Sequence, residues 1–366
     1  MSNQEYIIGD YAVKFIDDYI YKNRPSQILI IRGKNSYFKC GAAIIIKDII
    51  SKYNCNTSEF YDFEENPQFE DYVRGVTIAH KINPDLILSI GGGSVIDMAK
   101  LIRFKLNITS DIFSKEIKFN SHRVPLFAIP TTSGTGAEAT HFAVIYKNKI
   151  KYSIAHETIR PDAALLYPLF TNSNNPYLTA CCGFDALAQA IEAFWNKNAT
   201  DESDLYAKSA MSTLWNNLPL AVSSPNNKIR ENMALGSYMA GKAIDITKTT
   251  APHAFSYPFT SHYGYPHGHA VSICFPSIAQ LNIMGINPKK QAYLMELFGI
   301  KDIKSTKKCL SDYIRNLGLK TKSDINYNPQ IILSGINMAR LANNPIEIDN
   351  QTGKSIICES LGISMS

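Results

Sequence analysis

Residues 84–104 read PDLILSIGGGSVIDMAKLIRF. The opening is an apolar run, the end carries apolar side chains at helical spacing, and three glycines with a serine join them. A strand buried on both faces reads as such a continuous apolar run, so the segment predicts strand, glycine turn, helix. Working outward, QILIIRG (27–33) is a second apolar run closed by glycine, and helical periodicity follows through KCGAAIIIKDIISKYN. VPLFAIPTTSGTGAEAT (124–140) is a strand ending in a Gly/Thr loop. This alternation predicts a parallel sheet with helices on both faces.

The second half reads differently. From about Asn172 onward, apolar patterns of helical length dominate, at 177–195, 201–222, 228–243 and 292–316, with turn signals such as SSPNN (223–227) between them. The division expected is an α/β dinucleotide-binding domain over 1–170 and an all-helical domain over 171–366.

The chain has 366 residues, 45% hydrophobic and 19% charged, an ordinary globular balance with room for two cores. The net charge is +5 with no block of five like charges, which argues against nucleic acid. Seven scattered cysteines form no CxxC pair, the pattern of a reducing compartment rather than a disulfide scaffold. No apolar run has spanning length and the first residues show no basic-then-apolar signal, so a soluble, cytoplasmic protein is expected.

Two loops, one helix and a segment with two histidines carry the candidate chemistry. Gly91, Gly92, Gly93 and Ser94 lie between a strand and a helix start, where backbone N–H groups and the helix dipole suit a phosphate. Thr131, Thr132, Ser133, Gly134, Thr135 and Gly136 form a second hydroxyl-rich loop after a strand, suited to a nicotinamide or pyrophosphate. Asp185 and Gln189, in GFDALAQAIEAFW (183–195), stand four apart and share a helix face. His253 and His267 lie in APHAFSYPFTSHYGYPHGHA (251–270). Oxygen donors with two imidazoles are a ligand set for a divalent ion such as zinc or iron.

These segments, in this order, resemble the iron-containing (group III) alcohol dehydrogenases over nearly the whole chain. GGGSVIDMAK is similar to that family's GGGSxxDxAK, PTTSGTGAE to PTTxGTGSE, GFDALAQAIEAFW to GxDALxHAIE, and the segment from His253 to HisGly at 267–268 to HAxxHxxGxxxxxPHG. The resemblance implies a Rossmann-like N-terminal domain with an all-α metal-binding domain, the fold shared with dehydroquinate synthases. It implies a divalent metal, Fe2+ or Zn2+, on Asp185, Gln189, His253 and His267, with Asp97 joining the glycine loop at the cofactor, and a homo-oligomer, as a dimer. Two departures from the family matter. Gln189 stands where the family has His, and is a weak oxygen ligand, a holder of water, or no ligand. Tyr257 replaces a His beside the nicotinamide, where it packs on the ring or donates a hydrogen bond.

A narrower resemblance is to the phosphonoacetaldehyde reductases, carried by Gln189 and the KTTAPHA run (248–254). It implies reduction of phosphonoacetaldehyde to 2-hydroxyethylphosphonate. A phosphonate needs a cation and hydroxyl donors, and Lys248, Thr249 and Thr250 precede His253 closely enough to supply them. For the cofactor, Gly33 stands where the family carries an Asp that selects NAD. With Arg32, Lys34 and Ser36 around it, the loop suits a 2′-phosphate, so NADPH is expected over NADH. The competing expectations are a dehydrogenase of neutral alcohols or diols, a dehydroquinate synthase-like lyase, and a paralogue that binds nucleotide without metal.

Overall fold

The computed structural model describes residues 4–114, 116–120, 123–148, 150–321 and 325–364. The chain forms two compact units, Met1–Asn174 and Asn175–Ser366.

The first unit runs β1 (Glu5–Ile8), α1 (Asp10–Asn23), β2 (Gln27–Arg32), α2 (Ser36–Lys39), α3 (Ala42–Ser51), β3 (Asn56–Phe60), α4 (Phe69–Ile82), β4 (Leu86–Gly91), α5 (Gly93–Leu106), β5 (Leu126–Pro130), β6 (Phe142–Lys147), β7 (Ile150–Ala155) and β8 (Ala163–Leu166). Six strands make one parallel sheet in the order β1-β8-β5-β4-β2-β3. Along β2, Ile28 and Ile30 pack into one core while Leu29 and Ile31 pack into the other, on the opposite face. That is why the strand reads as unbroken apolar sequence: both faces are covered. Each such side chain contributes roughly 1.5–3 kcal/mol on burial. The β4 strand ends at Gly91, paired with Pro130 at the end of β5. Both candidate loops therefore leave neighbouring strands at the same carboxyl edge, where α/β sheets bind ligands.

The alternating pattern did not announce β6 and β7, which form a separate antiparallel hairpin. Its tie to the sheet layer includes the Asp97 carboxylate on α5, which accepts the Val144 N–H at 3.0 Å.

The second unit is helical: α6 (Pro176–Trp195), α7 (Asp201–Ser223), α8 (Asn227–Thr247), α9 (Ala251–Tyr263), α10 (His267–Gly285), then shorter helices through 350–361. Asn175 starts α6 by accepting the Leu178 N–H at 2.8 Å, and Pro176 follows in the first turn. The single helix expected over 292–316 is two, Pro288–Phe298 and Thr306–Asn316. Gly299, at φ 67°, ends the first in the left-handed conformation. No helix among the described residues is long and apolar enough to cross a membrane.

Candidate metal centre and nucleotide loops

The helix α6 is buried along most of its length, including Asp185, Gln189 and Glu192 on one face. Two short loops bring imidazoles to that face. Pro252 opens α9, placing His253 in its first turn, and Gly264 closes it with φ 67°. Pro266 then precedes α10, whose first residue is His267. Gly268 makes the approach possible. A Cβ there would sit 1.9 Å from the Cys181 carbonyl oxygen and 3.1 Å from the Asp185 Cβ. Only glycine lets the α10 backbone lie this close to α6, and that closeness sets His267 beside Asp185.

The ligand atoms of Asp185, His253 and His267 all lie within 4.8 Å of one another. His253 Nε2 is 3.1 Å and His267 Nε2 3.7 Å from Asp185 Oδ1. Donors about 2.0–2.2 Å from one ion stand about 3–3.5 Å apart, so the three fit a divalent metal with little adjustment. Asp185 and His253 are buried, whereas the His267 side chain is 38% exposed, so the group has one open side.

Gln189 joins them. Its Nε2 donates to Asp185 Oδ2 at 3.2 Å, and its buried Oε1 has no hydrogen-bond partner among the described residues. A buried amide oxygen left without a donor is costly. A cation among these four side chains would satisfy it, which supports the fit of a metal here.

Glu192 was not singled out from sequence, although its spacing from Asp185 and Gln189 (i, i+4, i+7) marks the same helix face. It is fully buried. One carboxylate oxygen bonds His253 Nδ1. The other accepts the Thr250 N–H at 2.9 Å, the Thr250 hydroxyl at 3.0 Å and the His253 N–H at 3.3 Å. A carboxylate on Nδ1 keeps a proton there, so Nε2, which faces Asp185, is the nitrogen that would give up its proton to a metal. Burial pulls the His253 pKa down, but the Glu192 and Asp185 carboxylates outweigh it and hold it up to about 10. The site strongly favours positive charge at its centre.

The remaining expected residues fall as follows. Tyr257 lies one turn beyond His253 on α9, half-buried. Lys248 ends α8, exposed, and no ion pair or hydrogen bond among the described residues engages its ammonium. Its backbone is unusual, at φ 65° and ψ −178°, a region glycine occupies and side chains avoid at a cost of about 1–3 kcal/mol. Thr249 is buried. Thr250 is fully buried, and its hydroxyl accepts from Trp195 Nε1 at 3.0 Å while donating to Glu192. The hydroxyl expected to meet substrate is thus engaged inside the protein, bracing the carboxylate that orients His253.

In the first unit the two loops touch. A Cβ on Gly93 would meet Thr135 Oγ1 at 2.7 Å, and one on Gly92 would stand 3.5 Å from Thr132 Oγ1. A Cβ on Gly91 would strike Val95 at 2.5 Å. Gly92 is the N-cap of α5 without a side-chain cap, which leaves its first N–H groups available to an anion. Ser94 Oγ accepts the Asn66 N–H at 3.1 Å, and the Thr131 carbonyl accepts from Asn174 at 3.0 Å. Burial raises the Asp97 carboxyl above its ordinary pKa, with Lys100 opposing.

At the end of β2 the expected basic loop is matched by acid. Arg32 pairs with Glu59 at 2.8 Å and lies 3.8 Å above the Tyr61 ring. Lys34 pairs with Asp62 at 3.2 Å and Glu64 at 3.7 Å. Gly33 lies close over Ser36, whose Oγ would be 2.1 Å from an added Cβ.

A parallel α/β unit with paired loops at one strand edge, and a helical unit bearing an Asp–His–His group, define the two-part architecture of the group III dehydrogenases. The chain belongs to the iron-containing alcohol dehydrogenase family. The family model for iron-containing alcohol dehydrogenase matches residues 3–168, and that for the Fe-containing alcohol dehydrogenase C-terminal region matches 179–356. The chain is 30% identical to an NAD-dependent methanol dehydrogenase of Bacillus methanolicus, over 80% of this chain and 78% of that one. It is 32% identical to a 1,3-propanediol dehydrogenase of Citrobacter freundii over 66% of this chain, and spans 63% of that relative's length. Among solved structures, it matches a sulfoacetaldehyde reductase from Bifidobacterium kashiwanohense in complex with NAD+ at a TM-score of 0.90 and 27% identity, covering 100% and 98% of the two chains. An iron-containing alcohol dehydrogenase from Thermotoga maritima matches at 0.86 and 27%, covering 99% of each.

Proposed function

We propose that this protein is a metal-dependent, nicotinamide-linked reductase of a small aldehyde with an anionic group one methylene from the carbonyl carbon. The substrate proposed is phosphonoacetaldehyde, reduced to 2-hydroxyethylphosphonate in phosphonate biosynthesis. When bound, a reduced nicotinamide would supply the hydride for the carbonyl carbon, and a proton from water or through a relay would complete the alcohol. The observation that carries the anionic part is Lys248: exposed, unengaged, and two residues from the Thr250–Glu192–His253 network. Resemblance to a sulfoacetaldehyde reductase, named for an aldehyde bearing a sulfonate, supports the same class.

Asp185, His253 and His267 would hold the metal, with the Gln189 oxygen available to it. When bound, a divalent ion supplies Lewis-acid polarisation of the carbonyl. Glu192 fixes the His253 tautomer, Thr250 and Trp195 brace Glu192, and Tyr257 offers a ring and a hydroxyl on the same face as His253. The glycine loop of 91–94 and the hydroxyl loop of 131–136 would hold the dinucleotide phosphates and nicotinamide, with Asp97 beneath them.

NADPH is the proposed cofactor. Arg32 is committed to Glu59, but the pairs of Lys34 with exposed Asp62 and Glu64 are surface pairs of little strength. A 2′-phosphate offers Lys34 a stronger partner, with the Ser36 hydroxyl as a further donor. A cytoplasmic homodimer completes the reading.

The test is NADPH oxidation with phosphonoacetaldehyde, sulfoacetaldehyde and acetaldehyde. The proposal expects kcat/KM for the phosphonate to exceed that for acetaldehyde by tenfold or more. Equal values would return the protein to the neutral-alcohol reading, which the relatives named for propanediol and methanol favour.

A further inference from the structure

Lys248 occupies a backbone conformation that suits glycine, and among the described residues its ammonium has no hydrogen bond or ion pair. Arg24 and Asn83, also at positive φ, sit in the ordinary left-handed well, with ψ of 52° and 68°. Lys248, with ψ of −178°, does not. Strain of this kind persists only where surrounding contacts over-determine it, and it gathers at functional sites.

The contacts that hold it converge on Asn196. This buried residue caps the C-terminus of α6, the helix of Asp185 and Glu192. Its carboxamide donates to the Thr247 and Lys248 carbonyl oxygens, each at 3.1 Å. The Thr247 hydroxyl adds a bond to the Lys248 carbonyl at 3.0 Å, and Asn343 holds the Thr249 carbonyl at 3.0 Å. The Asn196 Oδ1 is itself fixed by the Asn198 N–H at 2.9 Å. Two residues on, Thr250 is bonded to Glu192. Two residues span at most about 7 Å between Cα atoms. The backbone that carries Lys248 is therefore tied on one side to the end of the ligand helix and on the other to the carboxylate that orients His253.

We infer that Asn196 is a positioning residue that locks Lys248 into a preformed seat for the anionic group of the substrate, an inference that rests on the anionic-aldehyde reading above. The bonds fix the backbone of Lys248 and leave its side chain to reach out, so less backbone freedom is lost when a ligand arrives. Phosphonate and sulfonate share the chemistry the seat would recognise: a small tetrahedral anion one carbon from the aldehyde.

The experiment compares Asn196→Ala, Lys248→Gly, Lys248→Ala and the double variant Asn196→Ala/Lys248→Gly. Each is assayed with phosphonoacetaldehyde, sulfoacetaldehyde and propionaldehyde, and each is melted. The readout is selectivity, the ratio of kcat/KM for an anionic to the neutral aldehyde. Both Lys248 variants should lower that ratio tenfold or more. Asn196→Ala should lower it severalfold through KM, and should lower it no further in the Lys248→Gly background. Lys248→Gly should melt about 2–4 °C above Lys248→Ala, because only Ala retains the strained Cβ. Which anion shows the larger ratio in the parent identifies the source. If both Lys248 variants keep the parent ratio, or Asn196→Ala depresses all three substrates alike, the seat is refuted while the activity reading stands. A parent enzyme with no preference for either anionic aldehyde refutes the activity reading itself, and the seat with it.

Discussion

Replacing Glu192 by Gln tests whether this carboxylate sets the state of the candidate metal ligand His253. The change is nearly isosteric, so packing around α6 is kept, but the hydrogen-bond logic fails in both orientations of the amide. With its NH2 toward His253, the ring must accept at Nδ1. The proton then moves to Nε2, the nitrogen that faces Asp185 at 3.1 Å, and a protonated nitrogen cannot ligate. With the amide reversed, NH2 meets the N–H groups of Thr250 and His253, which now donate to Glu192, so donors oppose donors in a buried place. Losing such an outer partner typically weakens metal binding 10–100-fold, about 1.4–2.7 kcal/mol. The assay is competition for Zn2+ or anaerobic Fe2+ against a chromogenic chelator, with a thermal melt of the metal-free protein alongside. Glu192→Asp should recover part of the affinity, since it restores the acceptor at shorter reach. Unchanged affinity in Glu192→Gln would refute the orienting role. The pH behaviour of the chelated protein provides a second check. The folded pKa of His253 is raised to about 10, so its contribution to stability is fully present below the ordinary imidazole pKa. It is lost as pH rises through about 10. In Glu192→Gln that loss should begin at lower pH.

Gln189→Ala should retain metal, because Asp185, His253 and His267 suffice, whereas His267→Ala should lose metal and nearly all activity; equal metal content in purified samples would contradict this. Gly33→Asp should shift preference from NADPH toward NADH by roughly 1–3 kcal/mol, after Ser36 rotates away from the new Cβ; a parent that already prefers NADH in steady-state assays would show that residues 32–36 have been misread. Gly268→Ala should destabilise the helical unit by at least about 1–3 kcal/mol and weaken metal binding together, because the Cys181 carbonyl is backbone and cannot yield. A melting temperature and chelator titration like those of the parent would show that α10 has room to move.

The parallel sheet was legible because its residues sit under helices on both faces. The apolar runs ILII (28–31) and LIL (86–88) have the length and the closing glycines of strands covered on both faces. The hairpin of β6 and β7 was not, since β7 is mostly exposed and the pair lies outside the parallel sheet. The break at Gly299 was hidden because the apolar spacing continues across it, while the left-handed glycine that ends the helix is a backbone event with weak sequence contrast. At the centre, Asp185, Gln189, His253 and His267 were readable as donors because ligand chemistry is written in residue type. Glu192 was not, although it stands on the same face. Its role depends on a contact across 61 positions, to His253, and a carboxylate at a helical position carries no mark that distinguishes a buried brace from a solvated surface charge.

The same limit applies at 248–250 and 32–34. Residue type suggested that Lys248, Thr249 and Thr250 act together on an anion, and that Arg32 and Lys34 present bare positive charge. Hydrogen bonds divide the first group: Thr250 faces inward to Glu192 and Trp195, and Lys248 alone remains exposed. Ion pairs divide the second: Arg32 is buried against Glu59, and Lys34 alone is held by exposed, exchangeable partners. In both loops the structure reduces a cluster to one accessible lysine. The two lysines therefore carry separable predictions. Removing Lys34 should change the ratio of NADPH to NADH use and leave the order of aldehydes as it was. Removing Lys248 should reorder the aldehydes and leave the nucleotide ratio as it was. Cross-effects of equal size on both ratios would mean that neither lysine reads the group assigned to it.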